Sequence, residues 1–150
     1  MDDLYLKVAN VQGESKDASH KGWIDLVGYN WGGSRFAAGN ATVNYRNLIA
    51  HALIDKANPV LFSWLSSGKI ISKVEVSMCR AGSNIKEYHR ITLENAFVAD
   101  ISIENMMGQP TATYEFQADK MKIQYWEQTT NGGRGAETVA TWDIKNNCAR

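Results

Sequence analysis

The hydrophobic positions along this chain recur mostly in twos, the side-chain period of strands that bury one face. Leu4, Leu6 and Val8 alternate with Tyr5 and Lys7 and predict a first strand ending near Gln12-Gly13. A polar segment, Glu14 to Gly22, leads into a second strand over Trp23 to Trp31. A loop of small residues follows from Gly32 to Asn40, and strand-like sequence resumes around Thr42. Leu48 to Ile54 suits strand or helix on propensity alone. Beyond Lys69, Val74, Val76 and Met78 oppose Lys73, Glu75 and Ser77 in sustained alternation. Tyr88 to Asn105 reads as two strands broken near Asn95, and Thr111 to Gln128 alternates again. Asn131 to Gly135 reads as a mobile turn before a last strand, Thr138 to Ile144.

One stretch departs from this period. Asn58 suits an N-cap and Pro59 a first helical position, where its missing N–H is no loss. Leu61, Phe62 and Leu65 then share a face, and Gly68 suits a left-handed C-terminal position. The spacing predicts a helix over about 58–67, too short to persist unless it packs on a sheet. Seven to nine strands with one short helix specify a mainly all-β fold, a small β-barrel or two-sheet sandwich flanked by that helix. The two prolines, Pro59 and Pro110, fall outside the predicted strands. No repeat or linker divides residues 1–150, which read as a single domain of ordinary size.

Charge narrows the function. Sixteen basic residues balance sixteen acidic ones, so the excess cation that non-specific nucleic-acid binding requires is missing. A neutral surface is also weakly protected against self-association. The acidic start, Met1-Asp2-Asp3, lacks the basic and apolar regions of a secretory signal, and no apolar run could span a bilayer. Synthesis in the cytoplasm, without membrane insertion, is the expectation.

Candidate chemistry is sparse. His20, His51 and His89 stand singly, and Cys79 and Cys148 lack metal-ligand spacing. Ser67-Gly68-Lys69-Ile70 misses both the first glycine and the final hydroxyl of a phosphate loop. No nucleophile elbow occurs, and Asp25, Glu75, Glu94 and Glu115 alternate with apolar residues as solvent-facing strand positions do. The residues therefore predict no catalytic site, cofactor or metal. Trp23, Trp31, Trp64, Trp126 and Trp142 could form a stacking platform, so a monomeric β-barrel module binding carbohydrate is the alternative reading, although core packing is the commoner role for tryptophan.

Several segments together are more specific. Leu4 to Val8, Gly13-Glu14-Ser15, His20 to Asp25, Tyr29-Asn30-Trp31-Gly32, Asp55 to Leu61, Ser67-Gly68-Lys69, Val74 to Gly82 and Trp142-Asp143 resemble, in order and over nearly the whole chain, the Hcp (haemolysin-coregulated protein) family of the bacterial type VI secretion system. The loop after Trp31 departs from that pattern by being shorter and less glycine-rich and by carrying Arg35 and Phe36. The resemblance implies a secreted, non-catalytic tube subunit that forms hexameric rings. These would stack into a hollow tube, carry effectors in the lumen, meet sheath and spike proteins, and leave the cell through the apparatus itself. It places ring contacts on Gly32, Gly33, Arg35, Phe36, Asn40 and Asn44, a lumen position at Asn30, and loop contacts at Glu14, Ser15 and His20.

Overall fold

The computed structural model describes residues 2–39, 41–81, 86–131 and 133–149. Among these, seven strands of six residues or more form most of the structure: β1 (Asp3–Val8), β2 (Ile24–Asn30), β5 (Leu48–Leu53), β6 (Ile71–Cys79), β7 (Glu87–Met106), β8 (Gln109–Gln128) and β9 (Arg134–Asp143). Three two-residue strands, β3 (Gly33–Ser34), β4 (Asn44–Tyr45) and β10 (Cys148–Ala149), complete the set. The ambiguous segment at residue 48 is strand β5. There Leu48, Ala50 and Ala52 are buried and His51 and Leu53 are exposed, the alternation of a half-buried strand.

All the long pairings are antiparallel. In the order β8-β5-β2-β1-β6-β7, with β7 pairing back onto β8, six strands close into a barrel. Leu6, Val8, Ile24, Leu48, Val74, Val76, Leu93, Tyr114 and Phe116 fill it. β8 makes the closure possible. One edge pairs with β7 from Gln109 to Tyr125, while the other pairs first with β5 (Thr111 to Phe116) and then with β9 (Lys120 to Gln128). The arm of β7 beyond Ala96 has left β6 and continues with β8 alone to a turn at Met107 and Gly108. Both turn residues have positive φ, 55° and 79°, the requirement of the tight hairpin turn whose twist matches its strands.

Three sequence expectations are corrected here. The break expected near Asn95 is a local kink, because Asn95 takes φ 55° while the ladder continues from Glu94↔Lys120 to Ala96↔Ala118. Asparagine tolerates that left-handed conformation, so the strand bends without ending. Pro110 lies inside β8, at its second residue, paired with Asn105 beside the hairpin turn. The strand expected over Thr138 to Ile144 is β9, which begins earlier, at Arg134, and is followed by the short β10.

The helix, α1, runs from Ala57 to Ser67. Asn58 is not its N-cap. Lys56 holds that position without a side-chain bond, and Asp55 Oδ1 accepts the Ala57 N–H at 2.9 Å instead. Glu14 Oε2 accepts the Lys56 N–H at 2.8 Å, so two carboxylates sit where the helix dipole favours negative charge. Asn58 is thereby free to turn inward and donate to the Tyr114 hydroxyl at 3.0 Å. Gly68 closes the helix at φ 69°, as its lack of a Cβ permits. Leu61 is the fully buried side chain that fixes α1 to the barrel. Leu61→Ala is expected to lower unfolding free energy by about 2–5 kcal/mol, the range for deleting a buried leucine, measured as a shift in urea midpoint at constant slope.

Candidate functional site: an ordered loop and a covered outer face

The loop between β2 and β5 is built rather than slack. Arg35 Nη2 donates to the carbonyls of Gly39 and Ala41, both at 2.7 Å, and folds the loop tip onto itself. Gly33 and Ser34 pair with Tyr45 and Asn44. Trp31 stacks on Tyr45 (centroids 6.3 Å apart, 19° between planes), and its indole N–H donates to the Arg46 carbonyl at 2.9 Å. At the base the Arg46 guanidinium lies over Gly32, its Nη2 2.2 Å from where a Cβ would stand, a contact that a side chain at 32 would relieve by moving the guanidinium. The effect of this frame is to hold Phe36 out in solvent, 93% exposed. Asn44 and Asn30 are exposed too, the latter at the end of β2 opposite Ile49. Asn40 lies outside the described residues. Arg35 thus acts as the loop's internal strut, a role the sequence pattern did not reveal.

The segment after β1 folds over the outer face of β1 and β6. Gly13 and Ser15 donate to the carbonyls of Gly22 and Trp23, at 2.7 and 2.9 Å, and a Cβ on Gly13 would stand 2.4 Å from the Trp23 oxygen. Glu14 bridges to the helix start, its amide donating to Asp55 Oδ2 at 3.1 Å. His20 is buried, stacked on Tyr5 at 4.2 Å with Trp23 edge-on at 4.8 Å. The three residues expected to make loop contacts therefore all bind their own chain.

Around His20 lies a polar network that no sequence motif announced. Its Nδ1 meets Asp17 Oδ2 at 2.7 Å and its Nε2 meets Ser77 Oγ at 2.9 Å. Those distances resemble a serine-hydrolase relay. The chemistry differs, because Ser77 is fully buried and its hydroxyl donates to Glu87 Oε2 at 2.6 Å, not to the imidazole. Glu87 in turn accepts from Arg90 Nε at 2.6 Å, and Arg90 Nη1 reaches Glu75 Oε2 at 2.8 Å. Arg134 adds a longer contact to Glu87, 3.9 Å, while lying over the Trp126 ring. The network secures the covering segment to β6 and β7, with Ser77 buried inside it.

Cys79 Sγ lies 3.9 Å from His20 Nε2, a proximity that spacing alone could not show. Burial pushes its thiol above the ordinary range, with the Ser77 contact opposing and the Glu87 charge reinforcing the shift. The sulfur is held as an unreactive thiol. A chromogenic disulfide reagent at neutral pH is expected to titrate one thiol per folded chain, exposed Cys148, and two after unfolding. Rapid reaction of both in the folded protein would contradict the protonated, enclosed state of Cys79.

The tryptophans do not converge. Trp23 lies under Lys7 and Arg90, Trp31 against Tyr45, Trp64 beneath Lys69 and Trp126 beneath Arg134, while Trp142 lines a hollow with Arg35 and Val43 and its buried indole N–H has no hydrogen-bond partner among the described residues. The Tyr5 and Tyr88 phenols are both pushed up to about 12, mainly by burial, and stay neutral.

Comparison with known proteins converges on one family. Residues 5–125 match the family model described as "Type VI secretion system effector, Hcp". The chain belongs to the Hcp family. It is a type VI secretion tube protein. Protein hcp1 of Pseudomonas aeruginosa is 30% identical over 156 aligned positions, covering 97% of this chain and 96% of that one. The solved structure of Hcp1 from Salmonella typhimurium superposes with a TM-score of 0.86 at 28% identity, covering 99% of each chain. A further solved type six secretion system protein gives a TM-score of 0.91 at 22% identity over 100% of both chains, a likeness of fold.

Proposed function

We propose that this Hcp-family chain is a non-catalytic ring subunit. Six copies close head-to-tail around a channel, and rings stack into a conduit exported through the type VI apparatus. The observation that carries this reading is Phe36, an almost fully exposed aromatic side chain presented on a loop already ordered by Arg35 and Trp31. An aromatic side chain on a preformed support loses little conformational freedom on association, which makes it an efficient anchor. Gly32, Gly33 and Asn44 shape that support. Asn30 faces the channel in this reading, effector proteins occupy the lumen, and sheath and spike proteins are the outer and terminal partners. The zero formal charge suits a subunit that must meet its own copies.

Heterologous contacts close into rings when the rotation between neighbours divides a circle. Light scattering coupled to size exclusion is expected to give a mass near six times the 16.7 kDa chain. Phe36→Ala is expected to shift the concentration midpoint of assembly by the equivalent of roughly 2 kcal/mol, the scale of a hot-spot truncation, with unchanged circular dichroism. A monomer at every concentration would overturn the ring. An intact ring with an unshifted midpoint would remove Phe36 from its contacts.

A further inference from the structure

Along the start of β1 and the adjoining part of β2 lies a groove of about 800 Å³, with Leu4 and Leu26 of the barrel wall among its lining residues. Asp2, Asp3 and Asp25 line it together with Val27, Tyr29 and Tyr88. Val27 is 61% exposed, an apolar side chain left uncovered among carboxylates. Asp25 is paired with Tyr5 of β1, and Val27 follows it at the point where the β2–β5 register shifts between Leu26 and Gly28. Asp2 accepts the Tyr88 hydroxyl, and Arg80 lies 4.4 Å over the Tyr88 ring, so one guanidinium stands beside the three carboxylates. The opening is therefore acidic and partly apolar.

The chain carries a surface of the opposite character. Residues 31–47 include Arg35 and Arg46 and no acidic residue, and they present Phe36. This loop rests on its own C-terminal side, where Arg35, Gly39 and Val43 line a hollow with Trp142 and Asn147, none of which borders the groove. We infer that the Phe36 loop of one copy docks in the Asp2–Asp25–Val27 groove of a neighbouring copy, the aromatic ring covering Val27 and the loop's positive charge facing the three carboxylates. The proposal rests on the self-assembly argued above and names the surface that receives the loop. Complementary charge of this kind fixes orientation and speeds encounter, while the covered apolar centre holds the contact.

The test uses full-length chains in which Cys148→Ser removes the exposed native thiol. Ala37→Cys places a thiol beside an intact Phe36, and Val27→Cys places a small apolar thiol in the groove. The two chains, each with one introduced cysteine besides buried Cys79, are differently tagged, co-expressed, treated with a short bismaleimide and sized in parallel by light scattering. A mixed covalent dimer, absent when either chain is treated alone, is the expected result. Asp25→Lys in the Val27→Cys chain is expected to slow its formation roughly tenfold at low salt. Six-membered particles without the mixed dimer would overturn the docking while leaving the ring standing. A mixed dimer formed by chains that never exceed small oligomers would support the docking and overturn the ring. Monomers with no mixed dimer would overturn both.

Discussion

The structure depends on the way β8 divides its outer edge between two partners. Up to Phe116 that edge bonds to β5 and completes the barrel; from Lys120 onward it bonds to β9, outside the closed ring. One strand thus both seals the core and carries chain beyond it. The hand-off leaves three residues, Gln117 to Asp119, between the two ladders. Asp119 O accepts the amides of Ile144 and Lys145, at 2.7 and 3.1 Å, and so draws the end of β9 back to the same point. Closure removes the sheet edges within the barrel that would otherwise invite indiscriminate pairing. Association can still use the loops, the β7–β8 arm, the outer face and the β9 edge, which β10 pairs with only at Trp142 and Asp143.

That outer face is treated unequally along its length. Near His20 a covering segment buries Tyr5 and Ser77 and links Asp17, Glu87, Arg90 and Glu75 through hydrogen bonds. Such a network is costly to satisfy only in part, because each orphaned polar group loses water without a replacement. Its members therefore act as a unit that fixes the covering segment to β6 and β7. A short distance along β1 and β2 the cover stops, and Val27 and Asp25 meet solvent. Two strands thus serve a sealed structural function at one end and an open surface at the other.

Much of this was legible in the residues. Period-two patterning placed the long strands, and Pro59 with Gly68 located the helix, since both signals are local. Asn58 was misplaced because its preference for a cap was overridden by a buried partner, Tyr114, 56 positions away. The continuous β7 was divided because Asn95 gives the same sequence signal for a turn and for a kink. The relation of His20 to Ser77 and Glu87 had no sequence signature, since separations of 57 and 67 residues acquire meaning only through the registers of β1, β6 and β7. For the loop, glycine and an exposed aromatic marked a candidate contact, but composition could not reveal that Arg35 binds its own carbonyls and leaves Phe36 as the presented group.

Formal neutrality conceals a division of charge that bears on assembly symmetry. The loop after β2 carries only positive side chains, whereas the groove across β1 and β2 is lined by three aspartates. An isologous dimer made through either surface would bring like charges face to face, which opposes association by an amount that grows as water leaves the contact. A heterologous contact brings unlike charges together and leaves each copy with one free loop and one free groove, the condition for adding further copies until a circle closes. The sign pattern thus disfavours the pair and favours the ring without any net charge on the subunit. Salt would weaken this preference in the encounter, where screening over about 10 Å acts, but far less in the covered centre, where Phe36 would be withdrawn from water.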